Sequence, residues 1–321
     1  MKSPNKLLFT SLMITSTLMV ASSSNWLTTW IGLEINMLGY IPLMFMAQNT
    51  MESEAAVKYL IPQSLGSTIF IASAIISSHF NNLQILMAIA MCLKLGVAPF
   101  HFWFQPVMAS LQLTPALILL TWQKIAPILA ISSFNKTLIA MIMPIAMISA
   151  LWGGIGGLNQ TDIRSLLTYS SISHTGWMLA STTSNHIILI AYLTTYILIN
   201  ASIFASLNME STKSCKQLFS SKEPTKFFIL AITILSLGGL PPLVGFIMKL
   251  LVLMSTEAKT VIILGLITGA MISLFYYLSL TFSALLSFSK MHLTKTHLTS
   301  KQTILFLLSQ TLPLTLIMFF F

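Results

Sequence analysis

Four ionisable residues lie inside long apolar runs: Glu34 in WIGLEINMLGY, Lys94 in MAIAMCLKLGVAPFHFW, Lys124 in ALILLTWQKIAP and Lys249 in LVGFIMKLLVLM. Carboxylates and amines hold and release protons; desolvation disfavours their charged forms, and a nearby opposite charge favours them. A lysine poised between its two forms beside a carboxylate is a proton-holding site that its neighbour can switch. Glu34 has only Asn36 and Gly32 as local polar or small neighbours, and its side chain is too short to snorkel. Lys94 and Lys124 lie about ten residues from the ends of their runs, where a lysine stem does not reach the interface. Lys249 stands nearer the end of its run at Glu257, so by spacing alone it either snorkels or serves the same chemistry.

On insertion scales a charged residue at a helix centre costs about 2.5 to 3.5 kcal/mol, so the set costs on the order of 10 kcal/mol unless partners or water compensate. The bland alternative is one interhelical ion pair, Glu34 with Lys94 or Lys124, that fixes helix register. Three lysines against one glutamate oppose it, because ammonium groups would remain without a carboxylate. His101, in VAPFHFWFQ, and His174, in LLTYSSISHTGW, are further buried candidates. At helical spacing Ser170, Ser171 and His174 share a face. That stripe either carries water or a proton, or hydrogen-bonds a neighbouring helix. His79, His186, His292 and His297 fall near loops and take no role.

The elements that position these groups follow from composition. The chain has 321 residues, 55% hydrophobic and 7% charged, against about 25% charged in a soluble domain. Its apolar residues come in long runs, as in a polytopic membrane protein. With about 20 residues per span, about eleven helices are expected, over 7–22, 25–46, 55–77, 83–105, 114–132, 137–157, 161–182, 186–208, 225–255, 261–288 and 303–321. Runs such as Ile69 to Ile76 do not alternate, so membrane-barrel strands are excluded and the fold class is all-α. The first span, with Lys2 and Lys6 before it and small residues at its end, has features of a secretory signal. Retained, it forms a tight hairpin with the second.

Two spans carry interruptions: Gly96, Pro99 and Pro106 in the fourth, and LGGLPPLVG, with Pro241 and Pro242, in the ninth. Proline frees a backbone carbonyl and stops a helix locally. Within a bilayer such backbone persists only where protein or water satisfies it, and paired interruptions in two halves of a chain mark a transport site. Their placement predicts two inverted five-helix repeats, 1–132 and 133–288, followed by a C-terminal loop and helix, 289–321. Alternate numbering of the loops places Lys2, Lys6, Lys58, Arg164, Lys213, Lys216, Lys222, Lys226, Lys290, Lys295 and Lys301 on one side and Lys136 and Lys259 on the other. This positive-inside bias puts the N-terminus on the matrix or cytoplasmic side and the C-terminus opposite.

Several chemistries are excluded. Cys92 and Cys215 are the only cysteines, too few for a four-cysteine iron–sulfur cluster, a structural zinc site or a disulfide framework. The formal charge of +9 is spread singly between apolar stretches, without the clustered basic face that nucleic acid needs. GGIGG at Gly153 to Gly157 lacks the spacing and the preceding strand of a dinucleotide fingerprint. The longest polar stretch, Asn208 to Thr225, reads as a connector.

WIGLEINMLGYIP, EAAVKYL, KLGVAPFHFW, LLTWQKIAP, WGGIGGLNQTDIRSLLTYSSISHTGW and LSLGGLPPLVGFIMKL, between about residues 25 and 255, together resemble the chain 2 family of mitochondrial NADH–ubiquinone oxidoreductase, the antiporter-like proton-pumping membrane subunits of respiratory complex I. The resemblance is to the shortened animal form, which lacks three N-terminal helices of bacterial relatives. It implies that Glu34 matches the family's charge-transmitting glutamate, Lys94 and Lys249 the lysines of the two broken helices, and Lys124 the central relay lysine. His174 matches a polar position of the connecting helix. FHFWFQPVMASLQLTP departs from the family in having few acidic residues or glycines.

The function that follows is proton translocation across the mitochondrial inner membrane, coupled to NADH:ubiquinone oxidoreduction in other subunits through a buried Glu/Lys relay. The chain itself is expected to bind no cofactor or metal. NADH, FMN, iron–sulfur clusters and ubiquinone belong to the whole complex. Implied partners are other core and accessory subunits, including neighbouring antiporter-like ones, and lipids. The alternative is a secondary cation/proton antiporter, although a sodium site calls for more buried carboxylates than Glu34. A third reading is a scaffold whose charges only fix packing.

Overall fold

The computed structural model describes residues 3–45, 50–77, 84–208, 224–256, 260–288 and residue 310. Among them the regular structure is helical: α1 (Ser3–Ser22), α2 (Trp26–Met44), α3 (Thr50–Ser77), α4 (Gln84–Leu95), α5 (Phe104–Ser110), α6 (Leu113–Leu120), α7 (Trp122–Ser132), α8 (Lys136–Gly157), α9 (Ile163–Ser181), α10 (His186–Asn208), α11 (Pro224–Gly238), α12 (Val244–Ser255) and α13 (Thr260–Phe288). Among the described residues, five segments are long and apolar enough to cross a membrane: Thr50–Ser77, Leu113–Ser132, Leu138–Gly157, His186–Leu207 and Thr260–Phe282. The expected helix 303–321, apart from residue 310, lies outside the described residues, as do Lys2, Lys213, Lys216, Lys222, Lys259, Lys290, Lys295 and Lys301.

Polarity is inverted relative to a water-soluble bundle. Large apolar side chains such as Leu7, Leu18, Met254, Met271 and Phe275 point outward, while Asn36, Gln63, Lys94, Lys124, His174, Asn200 and Lys249 are buried. In hydrocarbon, polar side chains gain by facing other helices.

The chain divides into two compact units, Met1–Ser149 and Ala150–Phe321. In the first, α1 and α2 form the expected hairpin. Gly39 of α2 sits against Met13 and Phe9, and Gly32 against Val20 and Ser16, where a Cβ would collide. α3 packs on α2, α4 and α5, and α7 on α1, α2, α4 and α6.

In the second unit, α10 packs on α9, α11 and α12, and α13 on α9 and α11. The GGIGG stretch is a packing face here. Gly153 and Gly156 admit Tyr169 and Ser173 of α9, and Gly154 and Gly157 admit Gly269, Ile272 and Tyr276 of α13. Small residues that let backbones approach are the usual device for helix association in membranes.

Three expected spans are broken rather than continuous. Span 83–105 resolves into α4, an irregular segment and α5. α4, with 12 residues, is about 18 Å long and cannot cross a core of about 30 Å alone. Span 225–255 resolves into α11 and α12. These two breaks coincide with the glycine–proline interruptions. Gly96 and Gly239 adopt φ of 67° and 82°, a region that side-chain-bearing residues avoid. The third break was not expected. Span 114–132 is interrupted at Thr121, whose φ of −108° departs from the ideal helical value and whose Oγ1 donates to Leu117 O at 2.7 Å. Pro127, three residues after Lys124, removes the amide that would bond Gln123 O. A single threonine carries no strong breaking signal, so the split is visible only once the backbone is.

Candidate functional site

In the first unit, Lys94 lies in the last turn of α4 and is 6% exposed. Its stem fits because α3 offers a glycine: a Cβ on Gly66 would stand 2.9 Å from Lys94 Cγ. Lys124, 3% exposed, projects from the second residue pair of α7 beyond the Thr121 break, with Nζ 5.6 Å from the Phe104 ring centroid. That distance is within cation–π range. Both lysines line one cavity with Asn36, Tyr59, Gln63 and Gln123. The space open to the centre of a water molecule is about 20 Å³, room for about one water in polar surroundings.

The neutral lining is itself bonded. Gln123 Nε2 donates to Asn36 Oδ1 at 3.1 Å, and the Tyr59 hydroxyl donates to Gln123 Oε1 at 3.3 Å. α1 contributes Met13, whose sulfur accepts from Gln123 Nε2 at 3.5 Å. Tyr40, buried against Tyr59 with ring centroids 5.2 Å apart, donates to Pro115 O at 2.9 Å.

The end of α4 leaves carbonyls without intrahelical donors, as every helix C-terminus does. Neutral groups satisfy two of them: Trp103 Nε1 donates to Leu93 O at 3.2 Å and Gln63 Nε2 to Lys94 O at 2.9 Å. Val97 N returns to Cys92 O at 3.1 Å. Gly96, at positive φ, lets the chain turn so that the Trp103 ring closes over it.

Glu34, on α2, is partly exposed rather than sunk in the core. It acts electrostatically on Lys94, without a direct ion pair between them among the described residues. A register-fixing Glu34–Lys94 pair is therefore not what holds α2 to α4. Glu34 was expected to be the one buried acid, and this needs correction: Glu52 is 1% exposed. The span expected over 55–77 starts earlier, at Thr50 of α3, which takes Glu52 into its first turn. An acid there is favoured by the helix dipole. Lys58, assigned to a loop, is in α3 and pairs with Glu54 at 3.5 Å. His101 lies in the irregular segment after α4, 5% exposed and stacked on Phe102 with ring centroids 4.6 Å apart.

In the second unit, Lys249 of α12 reaches back to the end of α11. Its Nζ donates to Gly238 O at 2.8 Å and Leu237 O at 3.4 Å. A cation at a helix C-terminus meets both the orphan carbonyls and the negative end of the dipole. Gly239 makes the approach possible, since a Cβ there would lie 3.2 Å from Nζ. Gly245, set directly on the Ser236 carbonyl, lets α12 start against the last turn of α11. The two breaks thus share a glycine turn but are capped differently, one by neutral donors and one by an ammonium.

His174, 5% exposed on α9, stands 2.9 Å through Nδ1 from the Tyr192 hydroxyl, with the Tyr196 ring centroid 5.2 Å away. The expected stripe of Ser170, Ser171 and His174 is buried, but the serine hydroxyls donate to their own helix, to Leu167 O and Thr168 O. Tyr196 hydrogen-bonds Ser171, and Tyr277 of α13 acts electrostatically on Tyr192 and Tyr196. The Tyr277 ring also lies against Gly238, 3.2 Å from where a Cβ would stand. Gly238 is the residue whose carbonyl holds Lys249. A cluster of tyrosines therefore links the surroundings of His174 to those of Lys249 within this unit.

Sequence reasoning missed Gln123, Gln63, Asn36 and Tyr59 around the lysine pair, and Tyr192, Tyr196 and Tyr277 around His174. The amides carried a usable signal, since a polar residue in an apolar run faces the bundle interior or a cavity. The tyrosines did not, because by hydropathy they blend into the spans.

A family model described as NADH:quinone oxidoreductase/Mrp antiporter, TM, matches residues 23–269. The chain is 38% identical over 303 residues to NADH-ubiquinone oxidoreductase chain 2 of Genetta servalina, covering 89% of this chain and 87% of that protein. To the chain 2 of Lumbricus terrestris it is 40% identical over 296 residues, with 88% of each covered. Among solved structures it is similar to a chain of respiratory complex I from Thermus thermophilus with bound aureothin, with a TM-score of 0.82 and 25% identity over 97% of this chain and 79% of that one.

Proposed function

The chain belongs to the NADH-ubiquinone oxidoreductase chain 2 family, and on that premise we infer that it is a proton-translocating membrane subunit of respiratory complex I. It is a multi-pass protein of the mitochondrial inner membrane and takes part in NADH:ubiquinone oxidoreduction as a subunit. Two cysteines supply no cluster site of the common kinds, so we assign electron transfer, with its FMN, iron–sulfur clusters and ubiquinone, to other subunits. The fold is read as about eleven spans in two inverted repeats. Support comes from the matched glycine turns, Gly96 before Pro99 and Gly239 before Pro242. The N-terminus is assigned to the matrix by the lysine bias of the loops, and the flanking partners to neighbouring antiporter-like subunits.

Within this reading Glu34, Lys94, Lys124, His174 and Lys249 form the proton relay. The observation that carries it is the burial of Lys94 and Lys124 on one polar cavity with room for a water. Two ammonium groups facing one small space repel each other, so a proton's arrival at one promotes its departure from the other. Glu34 acts on the first of the two, so a charge change at Glu34, driven by redox events elsewhere, re-partitions the proton between them. Asn36, Gln63, Gln123 and Tyr59 offer hydrogen-bonding groups that order the water without adding charge.

Replacing Lys124 by Met tests the relay. Methionine fills a similar volume and has no charge to desolvate, so the complex should assemble. Coupled quinone-reductase activity and proton output should fall by about tenfold or more, the scale of losing a positioned proton-transfer group. Full activity in K124M membranes would remove Lys124 from the relay.

A further inference from the structure

We propose that Tyr192 is a positioning residue for His174, holding the neutral imidazole in the tautomer that carries its hydrogen on Nε2. The proposal rests on the reading of His174 as a proton carrier.

The Tyr192 hydroxyl is 2.9 Å from His174 Nδ1, both residues are buried on facing helices α10 and α9, and His174 Nδ1 is the hydroxyl's hydrogen-bond partner among the described residues. A buried hydroxyl proton left without an acceptor forfeits its hydration, so it is directed at the lone pair available to it. Nδ1 then accepts, and the neutral ring keeps its proton on Nε2. The ring is also held in orientation by Tyr196, whose ring centroid is 5.2 Å away, and Tyr196 is in turn anchored at Ser171.

This arrangement distinguishes the two nitrogens. An incoming proton can add only at Nδ1, and only when the Tyr192 hydroxyl has turned its own proton away. The charged ring then donates from Nδ1 to the Tyr192 oxygen. The hydroxyl torsion of Tyr192 is therefore a latch on proton uptake by His174. In its absence Nδ1 loses this donor, and the hydrogen bond that selects the tautomer is gone.

The test uses assembled complex in native membranes carrying Tyr192→Phe, His174→Leu and the pair, with rates read per assembled complex on native gels. Tyr192→Phe should lower coupled quinone-reductase activity and proton output about three- to tenfold, the scale of one buried hydrogen bond. In the His174→Leu background it should cause no further loss, because its effect runs through the imidazole. Tyr192→Gln keeps a donor and should retain more activity than Tyr192→Phe. An unchanged rate in Tyr192→Phe overturns the proposal. So does an equal loss in both His174 backgrounds, which marks a packing role, or a Tyr192→Gln variant as impaired as Tyr192→Phe. Full activity in His174→Leu alone is a separate result, since it defeats the role of His174 on which the latch depends while leaving the lysine pair untouched.

Discussion

Lys94, Lys124 and Lys249 are alike in type and burial but differ in what their ammonium groups do. Lys249 satisfies the carbonyls of Gly238 and Leu237, whereas those at the end of α4 are taken by Trp103 and Gln63. Lys249→Met should therefore leave buried acceptors without a donor, at about 1–3 kcal/mol, and Lys94→Met should not. Thermal inactivation of the two variant complexes checks this, and equal midpoints would contradict the capping role of Lys249. Glu34→Gln keeps the side-chain shape and removes the charge that acts on Lys94. Assembly should be normal and proton output per NADH reduced, read as the quench of a pH-sensitive dye in vesicles. Unchanged coupling at full turnover would exclude Glu34 from the transmitting step. The burial of the three lysines and His174 was legible from sequence because charge in oil is costly unless it faces the bundle interior; the partial exposure of Glu34 and the burial of Glu52 were not. The tyrosine hydroxyls around them were not legible either, since their importance lies in the partners they meet across helices.

At the scale of elements, the breaks position the chemistry. Gly245 seats α12 on the Ser236 carbonyl, and a backbone oxygen there can retreat only by parting the half-helices. Gly245→Ala should thus lower the amount of assembled complex, an overpacking loss of about 1–3 kcal/mol, measurable by native gel and by thermal inactivation. Gly96→Ala adds a left-handed strain of about 1–2 kcal/mol and pushes on the Trp103 ring. Its activity should fall more than its assembly, because the Trp103 cap and the Lys94 stem share that turn. Both proline-marked interruptions were readable from LGVAP and LGGLPP, whose glycines and prolines act on their own backbone. The interruption at Thr121 was not, because one threonine bonded to a carbonyl four residues back is no distinct breaking signal in the sequence.

At the scale of the molecule, proton and sodium coupling separate the complex I reading from the antiporter alternative. Proton output of the intact complex should be the same with sodium or choline as the cation of the medium, and a strict sodium requirement would favour the antiporter. Sequence alone determined that the chain is a helical membrane protein and which ionisable residues lie in its apolar runs, because hydropathy and backbone-breaking residues act locally along the chain. Tertiary structure decided which of those residues share a cavity, that Lys249 caps a helix while Lys94 does not, that Glu52 is buried, and that His174 meets Tyr192. These depend on helix rotation and close packing between segments 11 to 87 residues apart, which no local pattern of side chains encodes.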